Sequence, residues 1–118
     1  MDVSKDETFA NTWIQAWNQR DLEAVLSHYA EDVEFQSLLV VKLLNEPSGI
    51  VRGKQNLREY FRKALAAFPS DLQILLLGTY RGVNSRLVHF EARGRKAVEV
   101  MELDSSGKIR RATTLGQP

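Results

Sequence analysis

The spacing of apolar residues changes once along this chain, at Pro69. Before this proline most apolar side chains recur every three or four residues, as on one face of an α-helix. After it they alternate with polar side chains, as in a β-strand. Proline lacks a backbone N–H and disrupts helices, so it marks the boundary. Helices followed by a run of strands predict an α+β fold in which the helices pack on one face of a sheet.

Three helices are predicted before Pro69. The first follows an S-x-x-E capping box at Ser4 and Glu7, in which each side chain can satisfy an exposed backbone donor of the other. The second can be capped by Asp21. Its apolar stripe consists of Leu22, Val25, Leu26, Tyr29 and Ala30. The third begins after Gly53 and is the most regular of the three.

Strands are predicted on both sides of the third helix. Val33 to Ser37 is typical of a short strand, whereas Leu38 to Val51 is ambiguous. Within that segment, Leu38 to Leu44 could continue the strand or form a helical turn, and residues 46–49 favour a turn. Four later strands are separated by turns that contain glycine: Leu72 to Tyr80, Arg86 to Arg93, Lys96 to Asp104, and Lys108 to Leu115.

Glu99 alternates in phase with apolar neighbours, namely Ala97, Met101 and Leu103. A period of two therefore places a carboxylate on an apolar sheet face. Burying an unpaired carboxylate is costly, so the group must be neutral, paired with a cation or used in chemistry.

The register of one hairpin strengthens this assignment. If residues 94–95 form a two-residue turn, Phe90 faces Glu99 and Val88 faces Met101. One face of the hairpin is then apolar except for Glu99. A turn of three residues would slip the register by one and mix the two faces. The clean separation favours the two-residue turn.

The overall composition excludes several functions. The 118 residues suffice for one core, so a single domain over residues 1–118 is expected. There is no cysteine, which excludes disulfides and thiol chemistry. A net charge of +1 provides no field for nucleic acid or an anionic membrane. The polar N-terminus does not resemble a signal peptide and no apolar stretch is long enough to span a bilayer, so a cytoplasmic protein is expected.

Several segments carry a family resemblance. Residues 17–24 (WNQRDLEA) resemble the N-x-x-D-L-(D/E)-A opening of SnoaL-like domains, and residues 28–35 (HYAEDVEF) resemble their Y-A-(D/E)-D-V-x-F junction into the first strand. Residues 52–54, before the third helix, and residues 104–109, in the last hairpin, also fit the pattern of SnoaL-like domains. Their order is typical of the nuclear-transport-factor-two-like superfamily, which includes ketosteroid isomerases, polyketide cyclases, scytalone dehydratases and limonene epoxide hydrolases.

The resemblance implies both a shape and a site. The implied fold is a cystatin-like α+β roll: a cone-shaped, curved and mostly antiparallel sheet wrapped around three N-terminal helices, with a pocket inside and often a dimer through the outer sheet face. In the ketosteroid isomerase pattern, the general base falls at Ser37, the tyrosine donor near Trp13 and the second acidic donor at Glu99. Because serine is a poor proton acceptor, Ser37 is expected to position a ligand by hydrogen bonding.

The candidate site residues share an expected position on the pocket wall. The catalytic candidate is Glu99, and the substrate-binding candidates are Trp13, Trp17, Phe35, Ser37, Tyr60, Phe61, Phe90 and Met101. For each aromatic residue the alternative is simple core packing. In an apolar pocket the pKa of Glu99 should rise, which suits an acid, a base or a hydrogen-bond donor. Its alternative role is a structural ion pair with Arg110 or Arg111.

Other polar residues give weaker signals. Two histidines without H-x-x-x-H spacing do not indicate a metal, and no cofactor is expected. His89 is expected on the mixed outer face. The basic hairpin tip formed by Arg93, Arg95 and Lys96 is more typical of a solvated turn than of an anion site.

Two functions remain open. The first is a small enzyme that binds a mostly apolar organic molecule and uses Glu99 for cofactor-free isomerisation, cyclisation or dehydration. The second is a non-catalytic binding or assembly domain in which Glu99 is salt-bridged. A homodimer is expected in both cases, because the outer sheet face carries Leu87, Val98 and Val100.

Overall fold

Six strands form a single curved sheet in the part of the chain that the computed structural model describes, residues 3–118, with side chains from Lys5 onward. The elements, in chain order, are α1 (Val3–Asn18), α2 (Leu22–Leu26), β1 (Tyr29–Gln36), α3 (Leu38–Leu44), β2 (Ile50–Arg52), α4 (Lys54–Ala67), β3 (Ile74–Gly82), β4 (Ser85–Ala92), β5 (Arg95–Leu103) and β6 (Ile109–Gly116). The α+β class is confirmed. The side chain of Ser4, half of the predicted capping box, lies outside the described residues.

The sheet order is β2-β1-β6-β5-β4-β3. Every neighbouring pair is antiparallel except β1 and β6, so the mostly antiparallel prediction is confirmed. The described residues contain four helices rather than the predicted three, and two strands lie between helices. That a single domain spans residues 1–118 stays a prediction.

The second helix is shorter than predicted. It ends at Leu26, and Tyr29 is the first residue of β1 rather than part of a helical stripe. The backbone N–H of Ile109 donates to the His28 carbonyl at 2.9 Å, and Tyr29 pairs with Ile109 across the sheet. Pairing with β6 therefore overrides the local helical spacing. As a result, the Tyr29 side chain belongs to the sheet interior.

The ambiguous segment after β1 forms helix α3 and a return turn. Ser37 caps this helix by accepting a hydrogen bond from the N–H of Leu39 at 3.2 Å. Gly49 has a φ of +69°, and a Cβ there would come within 2.9 Å of the Ser37 carbonyl oxygen. Glycine thus permits the close approach through which β2 pairs with β1.

The β4–β5 turn consists of Arg93 and Gly94, one residue earlier than predicted. Both have positive φ, 56° and 76°, as a type I′ hairpin turn requires. Consequently Val88 pairs with Glu99 rather than with Met101. The predicted register was wrong by two residues, and a shift by an even number leaves every side chain on its face. The inward position of Glu99 was therefore predicted correctly.

The core lies between the helices and the inner face of the sheet. The complete burial of one large apolar side chain contributes about 2 kcal/mol. The largest fully buried side chains are Trp13, Tyr29, Phe61, Leu26, Leu57, Met101 and Ile109.

Two residues of the WNQRDLEA segment hold the loop between α4 and β3. The Asn18 side chain makes reciprocal hydrogen bonds with the backbone of Ile74, at 2.9 and 2.7 Å. The Arg20 guanidinium donates to the carbonyl oxygens of Leu65 and Pro69 near the end of α4. These contacts fix the ends of the loop, which borders the cavity described below.

Asp6 on α1 is a buried carboxylate that no sequence pattern indicated. Its two oxygens bind Arg81 Nε at 2.8 Å and Arg81 Nη2 at 3.1 Å, and Arg86 Nη2 lies 3.3 Å away. The Arg86 guanidinium also stacks 3.9 Å from the centre of the Phe9 ring. This cluster ties the first helix to β3 and β4.

Candidate functional site

A cavity of about 590 Å³ lies between the inner sheet face and the helices. This is within the range of roughly 300–1,000 Å³ that is usual for small-molecule sites. Most of its wall is apolar: Trp13, Trp17, Phe35, Leu39, Tyr60, Phe61, Ala64, Phe68, Leu72, Ile74, Phe90, Ala92 and Ala97. The remaining lining residues are polar or charged: Ser37, Arg93, Arg95, Glu99 and Thr114.

All but one of the predicted site residues line this cavity. The exception is Met101, which is fully buried in the core between Arg86 and Ala112 on the adjacent strands. It shares the face of Glu99 but lies further along β5, where packed side chains cover the sheet. Its predicted contact with a ligand is therefore corrected to a role in core packing.

The aromatic wall is a network of edge-to-face contacts. The ring of Trp17 lies 4.8 Å from that of Phe61 and 6.3 Å from that of Trp13, and Trp13 lies 5.8 Å from Phe90. The interplanar angles are 66–82°. Such pairs stabilise defined ring orientations. These contacts therefore hold the rings of the wall in defined orientations.

Glu99 is 4% exposed and is held by two neutral donors. The Tyr29 hydroxyl donates to Oε2 at 2.8 Å, and Thr114 Oγ1 donates to Oε1 at 3.3 Å. Trp13 Nε1 in turn donates to the Tyr29 oxygen at 3.3 Å. Burial raises the pKa of Glu99 to about 7, although the bonds from Tyr29 and Thr114 oppose this rise.

The alternative of a structural ion pair for Glu99 is wrong. Arg110 pairs with Glu102, and Arg111 pairs with both Glu34 and Glu102, all at 3.4–3.5 Å and between partly exposed side chains. Neither arginine lines the cavity. Among the described side chains, no cation lies within ion-pair distance of Glu99.

Sequence reasoning missed both partners of Glu99. Burial raises the pKa of the Tyr29 hydroxyl well above its usual value, and the nearby Glu99 carboxylate adds to this effect. The Y-A-(D/E)-D-V-x-F junction was the available signal, because it places the tyrosine at the entry to a strand. Thr114 pairs directly with Glu99 across β5 and β6. Finding it required the length of the loop after Asp104, which the sequence leaves open.

Ser37 is engaged by structural contacts. Its hydroxyl caps α3 and also lies near Tyr60, whose pKa burial raises to about 12 while the serine hydroxyl lowers it. That Ser37 positions a ligand stays a prediction, and no histidine lines the cavity to activate it as a nucleophile.

No group of three or more acidic or histidine side chains able to hold a metal ion occurs among the described residues. No helix in residues 3–118 is both long and apolar enough to cross a membrane. The basic hairpin tip is exposed, as predicted for a turn, but Arg93 and Arg95 also line the cavity.

The fold, a curved sheet closed by helices over an apolar cavity, is shared with solved structures described as nuclear-transport-factor-two-like and as cystatin-like in fold. The family model of the SnoaL-like domain matches residues 10–112, so the chain belongs to the SnoaL-like domain family. The family resemblance in the sequence is thereby confirmed. No curated protein sequence matches this chain.

Solved structures agree with this assignment. A SnoaL-like protein of unknown function from Burkholderia thailandensis is 37% identical over 96% of this chain and 94% of its own, with a TM-score of 0.89. A candidate isomerase of the SnoaL-like family from Agrobacterium tumefaciens is 18% identical over 98% of this chain and 99% of its own, with a TM-score of 0.76. SalBIII, an epoxide hydrolase/cyclase-like enzyme with a role in pyran ring formation in polyether salinomycin, is 18% identical over 98% and 93%, with a TM-score of 0.72. The last two share the fold.

Proposed function

We propose that this protein binds a small, mostly apolar organic molecule in its cavity and transfers a proton with Glu99, without a cofactor, in a reaction of the isomerase, cyclase or dehydratase type. One observation carries the proposal: a carboxyl group with no cationic partner among the described residues lies in the wall of an apolar cavity. Solved structures of similar fold include a candidate isomerase and a cyclase-like enzyme, which supports this reaction class.

The pKa of Glu99 suits a group that both takes and returns a proton. At a pKa of about 7, the protonated and ionised forms are both populated near neutral pH. Tyr29 holds Oε2 from the core side and does not line the cavity, whereas Thr114 lines it and donates to Oε1. Oε1 is thus the oxygen that faces a ligand.

A single carboxyl group is sufficient for this class of reaction. In an isomerisation it removes a proton from one carbon and delivers it to another, so no net proton is gained or lost. In a dehydration the same proton can leave with the departing hydroxyl as water. The neutral donors Tyr29 and Thr114 stabilise the ionised carboxylate before it takes up the proton and after it has returned it.

Titration of Glu99 tests the central premise. Carboxyl-resolved NMR of the wild-type protein should place the pKa of Glu99 near 7, well above the ordinary glutamate value of 4.5. A Glu99 pKa at that ordinary value of 4.5 would contradict a catalytic role.

A probe reaction tests proton transfer directly. When a base removes the ring C–H proton of nitrobenzisoxazole, the N–O bond breaks and a coloured cyanophenolate forms. The rate should rise through about pH 7 as Glu99 ionises, and Glu99→Gln should lower it at least about tenfold. Glu91→Gln removes a carboxylate from the outer face and is the matched control. Equal rates for wild type and Glu99→Gln would count against the proposal.

A non-catalytic binding domain is the second candidate. It is favoured by Ser37, which stands where the isomerase pattern has its base and which is engaged in capping α3. In that case Glu99 would donate a hydrogen bond to the ligand in its protonated form. The probe reaction separates the two candidates, because only the catalytic one requires a rate that depends on Glu99.

We also propose that two copies associate through the outer sheet face. This face exposes Leu75, Leu77, Tyr80 and Leu115, with exposed fractions of 44–61%. Leu115→Lys should convert a dimer to a monomer in sedimentation at micromolar concentration. Val83→Lys, at the tip of the β3–β4 hairpin, alters an exposed residue off this face and should have no effect. A monomeric wild type would refute the dimer.

A further inference from the structure

The mouth of the cavity carries two arginines that contact no acidic side chain among the described residues. Arg93 in the β4–β5 turn and Arg95 at the start of β5 both line the cavity and are otherwise exposed. Within the side chains that the structure describes, neither guanidinium has a carboxylate in ion-pair distance or a hydrogen bond to another group. The mouth of an apolar cavity therefore carries two positive charges that are not neutralised locally.

The other arginines of the chain are used differently. Arg20 binds backbone carbonyls, and each of the remaining seven pairs with a carboxylate. Those seven are Arg52, Arg58, Arg62, Arg81, Arg86, Arg110 and Arg111. Most arginines of the chain therefore bind a carboxylate or a backbone carbonyl. The two exceptions within the described residues, Arg93 and Arg95, both lie at the cavity.

The conformation of Arg93 is a second, independent observation. Its φ of 56° lies in the left-handed region, where a type I′ turn favours Asn, Asp or Gly. The geometry of the turn therefore gives no reason for an arginine at this position. A residue that strains the backbone at the edge of a cavity suggests a role for its side chain.

We propose that the ligand of this cavity is an amphiphilic organic anion, whose acidic group binds Arg93 and Arg95 at the mouth while its apolar body extends inward to Glu99. Guanidinium groups bind planar anions through paired hydrogen bonds. Glu99 is four residue steps after Arg95 on β5, a distance of about 13 Å along a strand, so a body of two linked ring systems would extend most of the way. This inference rests on the proposed function, because both use the same cavity.

A pair of fluorescent probes tests the inference. Anilinonaphthalene sulfonate has an apolar body of two linked aromatic ring systems, naphthalene and phenyl, with one anionic group. Phenylnaphthylamine is the same body without the charge. Wild-type protein should bind the sulfonate about tenfold more tightly than its uncharged parent at low salt, and added salt should remove this preference. The double variant Arg93→Asn/Arg95→Gln should abolish the preference without weakening the parent.

The single variants and a neighbouring lysine provide the controls. Arg93→Asn and Arg95→Gln should each weaken sulfonate binding about threefold, as expected for partly exposed charge pairs. Arg93→Asn should also retain or raise Tm, because asparagine tolerates the left-handed conformation, so misfolding cannot explain its loss of affinity. Lys96→Gln removes the same charge one residue away on the outer face, where Lys96 borders a shallow groove, and should change nothing.

Two results would overturn the inference. One is a sulfonate that binds wild type no more tightly than the uncharged parent does. The other is a Lys96→Gln variant that weakens the sulfonate as much as Arg95→Gln does, which would indicate an unspecific effect of net charge. Neither measurement involves proton transfer by Glu99, so failure here is distinguishable from failure of the proposed function.

Discussion

Asp6 and Glu99 are equally buried carboxyl groups with opposite electrostatic environments. They are 3% and 4% exposed. Asp6 binds Arg81 and Arg86, and the hydrogen bond from Arg81 lowers its pKa despite the burial. Within the described part of the chain, Glu99 binds only the neutral hydroxyl groups of Tyr29 and Thr114, and burial raises its pKa to about 7. The comparison teaches that burial alone does not produce a proton-transfer group. The charge of the hydrogen-bonding partners decides whether the pKa of a buried carboxyl group falls or rises.

The two groups also make stability depend on pH in opposite directions. The folded state lowers the pKa of Asp6 from 3.8. The contribution of Asp6 to the free energy of unfolding is therefore present above that value and is lost as pH falls. The folded state raises the pKa of Glu99 from 4.5 to about 7, so its contribution is present below about 4.5 and is lost as pH rises to about 7. This second loss corresponds to roughly 3 kcal/mol.

The largest effect on stability is expected when the cluster of Asp6, Arg81 and Arg86 is broken. Asp6→Asn leaves the half-buried Arg86 without its counter-charge and should lower the free energy of unfolding by about 3 kcal/mol, measured by urea denaturation. Glu102→Gln is the matched control, because Glu102 also contacts two arginines but its side chain is 39% exposed, and the change should cost less than about 1 kcal/mol. Equal losses would show that burial does not distinguish the two clusters.

At the cavity, by contrast, a substitution is expected to raise the free energy of unfolding. Glu99→Gln keeps the shape of the side chain but cannot ionise, so at about pH 8 it should raise the free energy of unfolding by about 2 kcal/mol. At about pH 5, where wild-type Glu99 is largely protonated, the two proteins should differ by less than about 1 kcal/mol. The readout is the wild-type-minus-variant difference from urea curves at both pH values. A difference that does not change with pH would contradict a raised pKa for Glu99.

The sequence predicted Glu99 but could not predict Asp6. The face of Glu99 follows from alternation along one strand, and it survived a register error of two residues because only odd shifts change the face. Asp6 meets Arg81 across 75 residues of sequence, and no local periodicity relates them. Contacts of this kind depend on how α1 crosses the sheet, which the spacing of apolar residues leaves open.

The site was predictable to the extent that its residues lie on regular elements. The aromatic wall follows the helical stripes of α1 and α4, so Trp13, Trp17, Tyr60 and Phe61 were found. Tyr29 was missed because it continues a helical spacing that pairing with β6 interrupts. The arginines at the mouth were identified as a basic tip, but their relation to the cavity depends on the curvature of the sheet.

The smallest effect expected concerns the donors that hold Glu99. Tyr29→Phe removes the hydrogen bond at 2.8 Å and leaves Trp13 Nε1 without its acceptor, so it should cost about 1 kcal/mol and raise the pKa of Glu99 further. Thr114→Val removes the longer bond at 3.3 Å and should raise that pKa less. Tyr60→Phe removes a cavity hydroxyl that makes no bond to Glu99 and is the control. Carboxyl-resolved NMR of the three variants would rank them. If Tyr29→Phe leaves the pKa of Glu99 unchanged, neutral donors do not tune this carboxyl group, and the contrast with Asp6 rests on burial and the arginines alone.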